Sequence, residues 1–285
     1  MEAARIMAMT ATWSCPSLAA IMPIMAVVER PTIEAKPSMP SIKFKALMQP
    51  ISQKSTGSMG EGDGFSGENP IAAEILNDLL RQHPALNPVR MDLVRCFTAL
   101  KRCFLAGGTL YLAGNGGSMS DAIHISGELD KAYKKRRPIP TTHSLRLKDV
   151  PGGEELAQCL QVGLRSMVLG NNPALASAVE NDFPKPYLGY AQELYALGHA
   201  GDVFLGISTS GNAKNILYAV QTARLLNMTS IGLTGESGGL LSAQADIVIH
   251  APSRDTPVVQ TWHIHIYHCL CEMLEAQLFS DEDKQ

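Results

Sequence analysis

Two pairs of side chains in this sequence have the spacing to build an acid–base site. His124 and Glu128 stand four residues apart in a segment that reads as a helix, so they fall on one face a single turn apart. Gln260 and His268 stand eight apart in a second helical segment. Eight residues leave about 80° of rotation after two turns, so both can line one side of that helix. A carboxylate and an imidazole suit proton transfer near neutral pH. Glu128 could equally be a surface carboxylate paired with Lys131 or Lys135. His263 and His265 share the helix of His268. Three histidines on one amphipathic helix cannot all face a site, and these two read as solvated or packed.

Three loops have the composition to hold a phosphate. They lie at 114–118, 206–212 and 233–239, each after an apolar run. Glycine lets the backbone approach an anion, the helix that follows presents free N–H groups and the positive end of its dipole, and hydroxyls add neutral donors. Asn115, Gly116 and Ser118 in the first loop, with Ser208, Thr209, Ser210 and Asn212 in the second, could hold a phosphate without Lys or Arg. The same residue types are ordinary turn formers. The first loop departs from GxGxxG, and no acidic residue closes a second strand about 20 residues on. No GxxxxGK[ST] motif occurs, so no nucleotide cofactor is expected.

The elements that must position these groups follow from periodicity. Apolar residues recur at helical spacing over 71–80 and 91–105, with Pro84 and Gly107-Gly108 as stops. Apolar runs at 109–113, 202–207, 229–233 and 246–249 read as buried strands. Helices are expected at 119–130 and 186–197, from the serine loop to 226, and over 258–278. Strands alternating with helices predict an α/β fold, a doubly wound and mainly parallel sheet flanked by helices.

The chain has 285 residues, 45% of them hydrophobic, enough for one folded domain over 69–285 behind an extension over 1–68. The extension is rich in Pro and Ser and ends in a Gly/Ser linker at 55–67, so it is expected to be poorly ordered, with Met59 a candidate start. Its apolar stretch at 18–28 is broken by Pro23 and lacks a signal cleavage site. A net charge of -3 argues against nucleic-acid binding. The basic run from Lys131 to Arg137 could form a local patch but reads more simply as a solvated helix end. No apolar stretch reaches the ~18 residues of a membrane span. Six cysteines without a CxxC pair fit a reducing cytoplasm.

The text Gly114-Asn-Gly-Gly-Ser-Met-Ser-Asp-Ala-Ile-His-Ile-Ser-Gly-Glu-Leu129 resembles the sugar isomerase (SIS) domain family, and within it the phosphoheptose isomerase group. So do Asn181-Asp-Phe183, the serine loop Gly206-Ile-Ser-Thr-Ser-Gly-Asn212, Ile231-Gly-Leu-Thr-Gly235 and Gln260-Thr-Trp-His-Ile-His-Ile-Tyr-His268. The resemblance covers about residues 70–280. It implies a five-stranded, flavodoxin-like three-layer sandwich with N-terminal helices. It implies an aldose–ketose isomerase that takes sedoheptulose 7-phosphate through an enediol, with Glu128 as base and His268 as partner acid/base. It further implies one divalent ion per site, commonly zinc, on His124, Glu128, Gln260 and His268, whose residue types suit zinc. Gln260 and Asp182 would also contact the sugar, although Asp182 could equally belong to a helix cap. A homotetramer with the site shared between subunits is implied as well.

Three positions depart from the family pattern. Ala132 stands where an Arg is usual, Ala213 removes one hydroxyl from the serine loop, and Pro257 replaces an acidic residue, with Asp255 nearby. Lys131 or Lys134 could restore the charge lost at 132, without the planar fork of Arg. The connection over 141–153 is longer and more polar than usual. Two alternatives stay open: an isomerase of another phosphosugar, and a non-catalytic relative that binds another protein, of the replication-initiator-binding type.

Overall fold

The structure, a computed structural model, describes residues 64–279. Expectations for the linker and for the segment before it lie outside the described residues. Helix α1 (Gly64–Glu68) takes in residues assigned above to the extension, because Phe65 packs edge-on against Phe97 with ring centroids 5.6 Å apart. Two helices follow, α2 (Pro70–Gln82) and α3 (Arg90–Leu105), joined by a short 3-10 turn at Pro84–Val89. Pro84 stops α2 as expected, since it cannot continue the ladder.

Five parallel strands then form one sheet: β1 (Leu110–Ala113), β2 (Ser166–Val168), β3 (Val203–Ser208), β4 (Thr229–Thr234) and β5 (Ile247–His250), in the order β2-β1-β3-β4-β5. Side chains alternate across it with period two. Leu110, Leu112, Val203, Leu205 and Ile207 enter one core with α2, α3, α4 (Gly117–Asp130) and α11 (Thr256–Leu278). Tyr111, Ala113 and Phe204 enter a second core on the opposite face, against α8 (Gly189–Leu197) and α9 (Lys214–Leu225). Helices thus cover both faces, which is why the strands read as unbroken apolar runs. The short α10 (Leu241–Gln244) joins β4 to β5.

Sequence periodicity located four of the five strands. The fifth, β2, has three residues and an exposed Met167 at the sheet edge, too little for any pattern. The long connection before it holds α5 (Thr141–Arg146) and α6 (Gly153–Cys159), and α7 (Pro173–Asp182) follows it. Among the described residues no helix is long and apolar enough to cross a membrane.

Candidate active site

The strand order reverses between β1 and β3, and in such sheets ligands bind outside the carboxyl ends of the strands at this switch point. The loop leaving β1 is tied there to the first turn of α9, the helix that follows the serine loop. Asn115 and Asn215 exchange amide hydrogen bonds of 3.0 and 2.8 Å. Gly116 takes φ +55 and starts α4, and Ser118, buried in its first turn, donates its backbone N–H to the Asn115 carbonyl. The serine loop curls on itself. The Gly211 N–H donates to Ser208 O at 2.9 Å, and the Asn212 N–H donates to Ser210 Oγ at 3.2 Å. Gly211 has φ +67, and a Cβ there would lie 1.9 Å from the Gly238 carbonyl, so only glycine lets the two loops touch. Ser208 is buried, while Ser210 and Asn212 are exposed. Thr209 Oγ1 lies 3.5 Å from Thr256 Oγ1, which brings this loop to the first residue of α11.

Helices α4 and α11 run side by side in the same direction, because each follows a parallel strand. Their contacts advance in step: Gly117 with Gln260, Asp121 with His263, His124 with Tyr267 and His268. His124 Nε2 lies 3.1 Å from Glu128 Oε1 and 3.4 Å from His268 Nε2, and the ligating atoms of these three side chains lie within 4.8 Å of one another. Two ligands bonded to zinc at tetrahedral angles stand about 3.3 Å apart. The donor set and both distances therefore fit a divalent ion. Burial, then the neighbouring His124 ring, pushes His268 below its ordinary value despite Glu128, which favours the neutral form that can ligate or accept a proton.

Gln260 lies beside the first turn of α4. Its amide sits where a Cβ on Gly117 would be, 2.1 Å from that position and seven residues before His124, or about 10 Å along α4. Eight residues of rise separate Gln260 from His268, and the shared side inferred from rotation does not remove that distance. Glu128 pairs with His124. His263 is fully buried and His265 is partly buried, stacked 4.2 Å from His83. Asp182 ends α7, exposed, and accepts from Asn181 Nδ2 at 2.9 Å. It is no N-cap, since Asn172 caps that helix.

The basic run is not a solvated helix end. Helix α4 stops at Asp130, and residues 131–137 form a strap pinned to α11. Glu275 accepts the backbone N–H groups of Tyr133, Lys134 and Lys135 at 2.9, 2.7 and 2.9 Å, and pairs with Arg137 Nε at 2.8 Å. Arg137 is 1% exposed and donates to the Leu129 and Glu128 carbonyls, closing the end of α4 that carries Glu128. The strap lays Tyr133 on the His268 ring, with centroids 5.5 Å apart. Lys134 pairs with Glu272 and shares with His268, His83 and His265 the wall of a cavity of about 240 Å³. A larger cavity of about 640 Å³ lies at the opposite ends of β3, β4 and β5 and touches none of these groups.

Arg137, Glu275, Tyr267 and Asp121 were missed as site-supporting residues. Helical register offered a signal for two of them: Asp121 stands three residues before His124, and Tyr267 adjoins His268. Nothing local marked Arg137 or Glu275.

The SIS domain model matches residues 150–235, which include the serine loop. A phosphoheptose isomerase of Helicobacter hepaticus is 37% identical over 171 residues, spanning 60% of this chain and 74% of that protein. One of Burkholderia pseudomallei is 31% identical over 211 residues, 74% of this chain and 92% of that protein. The solved phosphoheptose isomerase of Neisseria gonorrhoeae matches with a TM-score of 0.55 at 25% identity, over 73% of this chain and 98% of that one. That of Francisella tularensis gives 0.54 at 27% identity, over 76% and 98%. With its parallel five-stranded sheet and paired loops, the chain belongs to the phosphoheptose isomerase family of SIS-domain proteins.

Proposed function

We propose that this chain isomerises a ketose phosphate to the corresponding aldose, and that its substrate is sedoheptulose 7-phosphate, giving D-glycero-D-manno-heptose 7-phosphate. The observation that carries the reading is the convergence of His124, Glu128 and His268 at one point. The phosphate binds the serine loop through Ser208, Thr209 and Ser210, with Asn115, Gly116, Ser118 and Asn212 shaping its floor. Gln260 stands between that loop and the triad and orients the middle of the sugar. Glu128 takes the proton from the carbon beside the carbonyl, which yields an enediol. His268 moves protons between the two oxygens, and the proton on Glu128 returns to the neighbouring carbon. Held by His124, Glu128 and His268, a divalent ion such as zinc would polarise the sugar oxygens.

Of the two lysines that could replace the charge missing at Ala132, Lys134 lines the cavity beside His268, where it also pairs with Glu272, and this supports assigning the role to it. Asp182 stays assigned to sugar contact only by resemblance. The triad is open to solvent, with His124 44% and Glu128 22% exposed, and Ile123 and Ile264 lie exposed on the same helices. We infer a homotetramer in which a neighbouring copy covers this face; light scattering that reports a monomer would refute it. The function is tested by incubating the chain with sedoheptulose 7-phosphate and a panel of other ketose phosphates, with and without chelator. Faster turnover of another sugar would replace the substrate, and an inert chain would favour the protein-binding reading.

A further inference from the structure

The serine loop leads into a helix whose first residue has a charge that opposes the helix dipole. Helix α9 begins at Lys214, behind Ala213, which supplies no side-chain cap, and its first turn holds no acidic residue. A cation there stands against the positive end of the dipole, where an anion is favoured. Among the described residues Lys214 makes no ion pair; its contact is with the ring of Tyr187, whose centroid lies 5.7 Å from Nζ. Dipole and ammonium thus add at one point, with no carboxylate of the helix's first turn to offset them.

Tyr187 is itself held in an unfavourable conformation. Its φ is +74, and the other non-glycine residue with positive φ among the described residues is Asn227, a type that tolerates it. The ring is 49% exposed. Three residues on, Tyr190 near the start of α8 donates its hydroxyl to the Gly114 carbonyl at 2.6 Å, which anchors this segment to the loop leaving β1. From the other side Asn215, next to Lys214, exchanges its amide hydrogen bonds with Asn115 of that same loop. Tyr187 and Lys214 therefore stand together at the switch point between β1 and β3, on the helix and segment that flank the exposed Ser210 and Asn212.

We propose that Lys214 binds the phosphate of the substrate, and that Tyr187 is a positioning residue that holds its ammonium at the mouth of the serine loop. This rests on the reading of that loop given above. Hydroxyls and N–H groups recognise an oxyanion through neutral donors, and Lys214 adds a full charge, so the site selects a phosphate dianion over an uncharged sugar. An ammonium is a compact charge with three rotatable donors, and it meets phosphate without the fixed fork of Arg. Contact with the aromatic face restrains the lysine stem before the ligand arrives, so less freedom is lost on binding.

The test uses the full chain, with inorganic phosphate as the probe in calorimetry under chelator and with turnover of sedoheptulose 7-phosphate measured separately. Lys214→Met keeps the stem without the charge. It should bind phosphate about tenfold more weakly, the worth of one hydrogen bond to a charged group. KM should rise by a similar factor while kcat stays within about twofold, since a group that binds the phosphate equally in ground and transition states does not act on the chemical step. Lys214→Arg keeps the charge and should recover most of the affinity. Tyr187→Gly accepts the positive φ, removes the ring and should weaken phosphate binding by about two- to fivefold. Raising salt from about 0.01 to 0.15 M shortens the Debye length from about 30 to 8 Å, and should weaken phosphate binding more in the wild type than in Lys214→Met. Phosphate affinity within about twofold of wild type in Lys214→Met, or an equal loss in Lys214→Arg, overturns the proposal. A chain inert toward every sugar phosphate whose phosphate affinity still falls in Lys214→Met would instead remove the isomerase reading and leave the role of the lysine standing.

Discussion

Replacing Glu275 with alanine should loosen the molecule at the site and not only in the core. The carboxylate accepts four hydrogen bonds of 2.7–2.9 Å, three from the strap backbone and one from Arg137, whose side chain is fully buried. Breaking a buried pair by removing one partner costs about 3–5 kcal/mol, because the remaining charge has neither partner nor water. For a domain of this size each kcal/mol moves Tm by about 2–4 °C, so the expected drop is about 6–20 °C. The strap holds Tyr133 on His268 and Arg137 on the end of α4, so turnover should also fall at temperatures where both proteins are folded. Arg137→Met combined with Glu275→Gln should lose less stability than Glu275→Ala, since no uncompensated charge is left. Burial alone would raise the Glu275 carboxyl, but the strap N–H groups and Arg137 outweigh it and hold the group below its ordinary value. A lowered folded-state value contributes stability above the ordinary carboxylate range, and that stability is lost as pH falls through the lowered value. Melting followed from pH 7 to pH 3 should therefore show an acid loss that Glu275→Gln flattens. A Glu275→Ala protein that melts within about 2 °C of wild type, far short of the cost of a broken buried pair, would refute the reasoning.

Glu128→Gln should keep substrate binding and lower turnover by about 10² to 10⁴, the usual worth of a general base; turnover within threefold of wild type would assign the base elsewhere. Ser210→Ala should act mainly on KM, read from initial rates, by about the tenfold that one lost hydrogen bond allows. Gly117→Ala should fold, because the atom its Cβ would meet is the free end of Gln260, but catalytic efficiency should drop up to about tenfold as that amide is displaced. Gly211→Ala meets backbone instead, the Gly238 carbonyl, at a positive φ. Strain alone costs about 1–3 kcal/mol there, visible as a lower Tm and a raised KM.

The sheet and the two site helices could be read from the chain because their determinants are local. Unbroken apolar runs betray strands covered on both faces, and His124 with Glu128 is a one-turn spacing. Strand β2 escaped because three residues at an edge carry no period. The strap was misread for a different reason. A basic run ordinarily seeks water, and what buries Arg137 is Glu275, 138 residues away, a partner that no window along the chain contains. Gln260 illustrates a third limit. Rotation about a helix axis is read easily from spacing, but rise is what separates it from His268.

The in-step contacts of α4 and α11 bear on how this site can change by insertion as well as by substitution. Each added residue in a helix turns everything beyond it by about 100°. One residue inserted between Gln260 and His263 would leave Thr256 and Gln260 facing the loops and carry His263, Tyr267 and His268 together off the α4 face. The same turn would carry Ile266, Leu270, Met273 and Leu274 out of the core that α11 fills, so this face admits substitution but not insertion.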